Sequence, residues 1–405
     1  MTGPTGSIPS DRLRVLHVGK YYPPVDGGIE DHVHSVASGL AAQYQVTALV
    51  FNTERRTVHE ELDGVQVVRA GTLGQVLSTE MSPAYLSWFR RLRDCDIVHL
   101  HTPNPVGELA CLGLPRRSRL IITYHSDVVR QRLLAGANRV VLHRLMRRAD
   151  RIIAFTDRYR RTSPVLAHYP HKTTIIPHGV DLGAYDTNPA IDRRVDELRQ
   201  RFGSRIVLFV GRQVYYKGIE HLLRAMPRLD GAHLLVAGDG PLRPELERQA
   251  ASLGVGPRVT FLGKISHEEK VACYRASRVL VLPATHRSEA FGLVQVEAFA
   301  CAIPVVSTEI DSGVPFVNQH GVTGLVVPPA DAEALAAAIG GILSDVARCR
   351  EMGAAARRRG QEFFSREVML RDLRALYAEV AGGRQEAAVS PIATSASAAP
   401  HHEVR

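Results

Sequence analysis

The sequence is poor in patterned cysteine, in tryptophan and in long apolar runs, and each shortage removes a class of protein. Its five cysteines, Cys95, Cys111, Cys273, Cys301 and Cys349, stand singly with no C-x-x-C pair, which argues against a zinc knuckle and a disulfide framework. A reducing cytoplasm is the setting expected. No apolar run approaches the roughly 18 residues that a spanning helix needs, and the opening MTGPTGSIPSDRLR has no apolar signal core. Neither secretion by that route nor a bilayer crossing is expected. With one Trp and 6% aromatics, the basic stretches have no aromatic interleaving, so nucleic acid is disfavoured as a partner. No short-period repeat is present.

What is present is a chain of 405 residues, 45% hydrophobic, which exceeds the length at which a single core keeps growing; two domains are expected. Short apolar runs alternate with longer amphipathic ones. LRVLHVG (13–19), QVTALVF (45–51), DIVHLH (96–101), RLIITYH (119–125) and RIIAFT (151–156) read as buried strands of a doubly wound parallel sheet. A second series begins at RIVLFVG (205–211) and runs through HLLVAGDG (233–240), RVTFLG (258–263), RVLVLP (278–283) and IPVVST (303–308). The fold class is α/β, with two Rossmann-like domains in tandem. Pro177, Gly179, Gly183 and Pro189 mark the stretch between them. The spacing places a flexible N-terminus at 1–12, a first domain at 13–180, a linker at 181–203, a second domain at 204–365 and a disordered tail at 383–405. Three helices follow Val327, and the last, 366–382, closes the ordered part.

The net charge of +9 is concentrated in the first half, where 16 Arg and one Lys between Leu86 and Lys172 face six acids, a local balance of +11. Such a face either is solvated surface or attracts an anionic membrane.

Three stretches carry chemistry. Glu289-Ala-Phe-Gly-Leu-Val-Gln-Val-Glu297 lies beyond a strand's carboxyl end, where open α/β sheets bind ligands. The amides of Phe291, Gly292 and Leu293 would open a helix facing an anion, with Gly292 allowing close approach. Glu297 falls about one and a half turns inside that helix, so it and Glu289 must serve different partners. In FVGRQVYYKG, Arg212 and Lys217 follow a strand between Gly211 and Gly218 and make a diphosphate clamp. Gly27 and Gly28, after the first strand, suit a loop beside a phosphate.

Together these stretches resemble the retaining glycosyltransferases of the GT-B fold, glycosyltransferase family 4, over residues 13–381. Glu-x7-Glu and G-R-x4-K-G are the most specific matches, with HSD (125–127), IPHGVD (176–181) and AGDGP (237–241) less so. The resemblance implies two domains facing a cleft, the first for the acceptor and the second for a nucleotide-diphosphate sugar, with helix 366–382 crossing back to the first. It assigns Arg212 and Lys217 to the diphosphate and Glu297 to the ribose. Glu289 and His125 fall beside the transferred sugar. Gly28 and the amides after Ala290 complete the phosphate cradle, and Gly263 and Ile265 of FLGKIS face the base. His178 departs from the Asn common in the family's IPNGVD.

Fixed cations and amides would stabilise the charge that grows on the leaving diphosphate, so no metal or other cofactor is expected. The resemblance further implies retention by same-face attack, the departing phosphate helping to take the acceptor's proton. The acceptor is a glycan or a lipid-linked sugar, and contact with the inner face of the membrane follows from charge alone. Asp94-Cys95-Asp96 spells D-x-D but opens a strand. His99 and His101, spaced i, i+2, lack an obvious third metal ligand. The alternatives are a nucleotide-sugar epimerase of the same fold and a non-enzymatic basic protein that binds membrane or nucleic acid.

Overall fold

The computed structural model describes residues 12–25, 27–76, 79–126 and 132–382, the side chains of 132–137 excepted. Asp26, Asp127, residues 1–11 and the tail 383–405 lie outside that set.

The first sheet has the order β10-β9-β8-β7-β1-β2-β4-β3. Its strands are β1 Arg14–Val18, β2 Gln45–Phe51, β3 Val58–Leu62 and β4 Val65–Ala70, then, after a small hairpin of β5 Gln75–Val76 and β6 Thr79–Glu80, β7 Ile97–Thr102, β8 Arg119–Tyr124, β9 Arg151–Ala154 and β10 Thr173–Ile175. All pair in parallel except β3, which runs antiparallel on the outer edge of β4. The second sheet, wholly parallel, has the order β13-β12-β11-β14-β15-β16. Its strands are β11 Ile206–Val210, β12 His233–Ala237, β13 Val259–Gly263, β14 Val279–Leu282, β15 Val305–Thr308 and β16 Gly324–Val327. The central runs, such as IVLFV of β11, are apolar at successive positions because helices cover both faces of each sheet.

The two Rossmann-like domains expected from the sequence are therefore present, with strands the apolar runs did not announce. The hairpin β3–β4 escaped because β3 reads Val-His-Glu-Glu-Leu, an edge strand half open to water. Its signal was the turn Asp63-Gly64, where both residues adopt positive φ, 51° and 75°.

The chain passes between the domains twice, and the passes are bonded to each other. Val180 N–H donates to the Phe364 carbonyl at 2.9 Å and Arg366 N–H to the Val180 carbonyl at 2.9 Å. Ser365 then caps the helix Arg366–Val380 through its hydroxyl on Val368 N–H. That helix crosses back onto the first domain, as expected. Met369, Leu370, Leu373, Leu376 and Tyr377 bury themselves in its core, and Arg366 donates to the Ser35 carbonyl at 3.0 Å and to Ser38 Oγ at 2.7 Å. Among the described residues no helix is long and apolar enough to cross a membrane.

Candidate functional site

The carboxyl ends of the two sheets face each other. Phe155, just beyond β9, packs against Phe291, with ring centroids 6.1 Å apart, and Arg158 pairs with Glu309 and Asp311 beyond β15. A Cβ built on Gly28 would meet Leu293 Cδ1 at 3.8 Å, so the first glycine loop lies against the helix start at Leu293.

On the second domain, Lys217 Nζ and Glu289 Oε2 form an ion pair of 2.7 Å, each side chain 10% exposed. The loops carrying them are held by glycine. Gly218 has φ 67°, and a Cβ there would lie 2.0 Å from the Pro283 carbonyl oxygen. Gly292 has φ 75°, and a Cβ there would lie 2.6 Å from Leu282 Cδ2. Both glycines thus grip the end of β14, and no L side chain fits either place. The amides of Phe291, Gly292 and Leu293 donate to no backbone carbonyl among the described residues, as expected where the helix Leu293–Ala300 begins. Arg212 is exposed and makes no ion pair among the described residues. AGDGP supports this loop: Gln213 N–H donates to the Asp239 carbonyl at 3.0 Å, and its side-chain amide to the Gly238 carbonyl at 2.9 Å.

Glu297 belongs to a separate cluster, so the two carboxylates do have different partners. Lys270 Nζ lies 3.1 Å from Oε1, the Tyr274 hydroxyl donates to Oε2 at 2.7 Å, and Tyr185 also hydrogen-bonds the group. Burial pushes this carboxyl upward, but the Lys270 charge and the three hydrogen bonds outweigh it and hold the group below the usual range. Lys270 was missed by sequence reading, since nothing along the chain links it to a residue 27 positions away. Gly263 ends β13 with φ 70°, and Ile265 packs against the core of the second domain.

On the first domain, His125 is one of six buried imidazoles. His17 Nδ1 and His101 Nε2 are 3.0 Å apart, His101 Nδ1 and His125 Nε2 are 3.2 Å apart, and His32 Nδ1 and His178 Nδ1 are 2.8 Å apart. His99 spends Nδ1 on the Tyr377 hydroxyl and Nε2 on Thr123 Oγ1, both at 2.6 Å. Burial drives His17 and His32 down to about 3 and the other four well below the ordinary value, and repulsion from neighbouring imidazoles adds to this for all but His32. All are neutral near pH 7. The expectation that His99 and His101 lack a third neighbour is corrected here. His17 lies beside His99 because β1 and β7 pair in that register, and His32 comes from the helix after the Gly27-Gly28 loop. His178, where the family's common pattern has Asn, stacks on Phe155, with centroids 3.5 Å apart, inside the same cluster.

Asp94 and Asp96 sit at the entry of β7, where Asp96 accepts from Arg14 N–H at 2.8 Å and Asp94 pairs with Arg117. They stand at the opposite end of the strand from the cleft.

Two parallel α/β sheets meeting carboxyl end to carboxyl end, with fixed cations on one side and a crossover helix behind the other, define a glycosyltransferase of the GT-B architecture. Residues 26–184 match the model of Glycosyltransferase Family 4, and residues 192–359 match that of Glycosyl transferases group 1. Among curated relatives, the O-antigen chain mannosyltransferase C of Escherichia coli is 33% identical over 88% of this chain and 96% of its own length. D-rhamnosyltransferase WbpZ of Pseudomonas aeruginosa is 35% identical over 87% of this chain and 92% of its own. Among solved structures, sucrose-phosphate synthase from Thermosynechococcus elongatus superposes with a TM-score of 0.76 at 25% identity, covering 91% of this chain and 99% of that one. The chain belongs to the family 4 glycosyltransferases. Membership sets aside the epimerase and the non-enzymatic binding protein.

Proposed function

We propose that this chain moves a manno-configured hexose, mannose or its 6-deoxy form rhamnose, from a nucleotide-diphosphate sugar to a glycan or lipid-linked acceptor. Configuration at the anomeric carbon is retained, and no metal sits on the diphosphate. The sugar is read from the two curated relatives, which are named for mannosyl and rhamnosyl transfer. The observation that carries the reading is the buried Lys217–Glu289 pair, set beside the open amides of Phe291, Gly292 and Leu293.

In this reading Lys217, Arg212, the three amides and the Gly27-Gly28 loop take the diphosphate. Positive groups held by glycine loops need no reorganisation as negative charge grows on the leaving oxygen. Glu289, with one oxygen on Lys217, offers the other to a sugar hydroxyl. Glu297, kept ionised by Lys270, accepts from ribose hydroxyls, while Gly263 and Ile265 border the base. His125 is a neutral donor or acceptor for the sugar. The acceptor's proton leaves with the phosphate on the same face, so the protein supplies no general base.

Thermal-shift titration with GDP, UDP, ADP and TDP should single out one diphosphate that raises Tm. Turnover with the matching sugar nucleotide should then survive chelator. Complete loss of turnover in chelator, restored by manganese, would overturn the reading. For the acceptor side, exposed Arg90, Arg91, Arg116, Arg144 and Arg147 leave the first domain a positive face even though Arg93, Arg117, Arg119, Arg148 and Arg151 are spent on internal contacts. Cosedimentation with anionic vesicles should be lost at high salt; no binding at low salt removes the membrane from the proposal.

A further inference from the structure

Six neutral imidazoles in one buried cluster exceed what one sugar contact needs. Among the described residues, two groups of three bring a ligand nitrogen from each member within 4.8 Å of the others: His17, His99 and His101, and His32, His101 and His125. The hydrogen bonds separate them. In the first group His99 has both nitrogens engaged at 2.6 Å, by Tyr377 and by Thr123, so it has no lone pair to give. In the second, His101 Nδ1 and His125 Nε2 already lie 3.2 Å apart, and His32 has Nε2 beyond its contact with His178. Two nitrogens bound to one tetrahedral metal at 2.0–2.1 Å lie about 3.3 Å apart.

We infer that His32, His101 and His125 form a binding site for a borderline-soft divalent transition metal of the zinc type, with the fourth position open. It goes beyond the transfer reaction and is separate from the diphosphate site.

The rest of the cluster fits as the outer layer of that site. When His101 gives Nδ1 to the metal, its proton sits on Nε2 and is donated to His17 Nδ1, 3.0 Å away. His17 then carries its proton on Nε2, which faces the Tyr377 hydroxyl at 3.5 Å, and that hydroxyl donates to His99 Nδ1. His99 donates from Nε2 to Thr123 Oγ1. Likewise His32 carries its proton on Nδ1 and donates to His178 Nδ1. Every imidazole stays neutral, no proton leaves, and only tautomers change. Metal-bound histidine ordinarily donates its other N–H in this way. Phe155 supplies an apolar wall, its ring centroid 5.5 Å from that of His32 and 5.2 Å from that of His125.

The test uses full-length protein without an affinity tag, stripped with chelator. Equilibrium dialysis against zinc should show one saturable site per chain, and cobalt should give the visible bands of a low-symmetry, four-coordinate ion. His101→Gln and His32→Gln should each abolish that site, His17→Gln should weaken it about 10- to 100-fold, and His99→Gln should leave zinc bound. Circular dichroism and the Tm of each variant show whether it is folded. The cobalt spectrum of the unmutated protein tests the site even where a variant does not fold. Absence of a saturable site, six-coordinate cobalt bands, or a site that survives His101→Gln in folded protein overturns the inference. A site lost with His99→Gln but kept in His32→Gln does so too.

Occupancy also takes the lone pair of His125, so zinc should inhibit transfer and chelator should relieve it. That consequence alone rests on the proposed role of His125. Zinc bound at this site without inhibition would remove that role and leave the metal site standing.

Discussion

The two domains repeat one fold but furnish their facing strand ends with opposite kinds of polar group. The first gathers six neutral imidazoles, backed by Tyr377 of the crossover helix, and the second places two Lys–Glu pairs, the buried Lys217–Glu289 and the half-buried Lys270–Glu297. Burial explains why each set is internally consistent. An imidazole can shed its charge cheaply when desolvated, and neighbouring imidazoles push it the same way. At Glu297 the nearby Lys270 charge and the hydrogen bonds it accepts outweigh desolvation, so the carboxylate keeps its charge. On the proposed reading, the second domain sets fixed charge against the diphosphate, while the first meets the uncharged sugar with hydrogen bonds.

The largest expected effect breaks the comparison at its strongest point. Glu289→Ala and Lys217→Met should each lower kcat/KM by about 10²–10³, the usual loss when one preorganised electrostatic group is removed. The double variant should be little worse than either single one, because each deletion strands the other partner. Steady-state kinetics with a single sugar nucleotide measures both. A comparable loss in His99→Gln, which lies on the neutral side and outside the proposed sugar contacts, would dissolve the distinction between the domains.

Next in size is the backbone that holds the charges. Gly218→Ala must put a Cβ within 2.0 Å of the Pro283 carbonyl while keeping φ at 67°. Left-handed strain and the overlap together should cost roughly 2–5 kcal/mol, read as a fall in the denaturant midpoint at unchanged m. A change below about 0.5 kcal/mol would show that the loop is not rigid, and the argument from preorganised charge would weaken with it.

The same contrast governs what could be seen in the chain beforehand. The second domain's charged residues were legible because they come from two contiguous stretches, 211–218 and 289–297, each tied to a strand end by glycine. Lys270 was not, since its partner Glu297 lies on a different helix and only packing joins them. In the first domain, His99 and His101 announced themselves by spacing. What made them a cluster is the parallel register of β1 with β7, the helix after Gly28, the end of β8 at His125 and a turn at His178, which bring together residues from five separate places. Ten of the parallel strands could be read directly from their apolar runs, while β4, β10 and β16 could not. The β3 edge could not, because a strand open to water has no reason to be apolar.

The smallest effects sharpen the comparison, because in each cluster a fully buried tyrosine hydroxyl makes a short hydrogen bond. Tyr274 donates to the ionised Glu297 at 2.7 Å, and Tyr377 shares a hydrogen bond with the neutral His99 at 2.6 Å. Both side chains are buried, so Tyr→Phe removes a hydroxyl with little change of shape. The bond to a charged acceptor should be worth more: about 1.5–3 kcal/mol for Tyr274→Phe and about 0.5–1.5 kcal/mol for Tyr377→Phe, by equilibrium denaturation near pH 7. Similar lengths therefore predict unequal energies, and the order follows from the acceptor's charge alone. If the two variants cost the same, or Tyr377→Phe costs more, the imidazole cluster carries charge at neutral pH and the contrast between the two halves of the cleft fails.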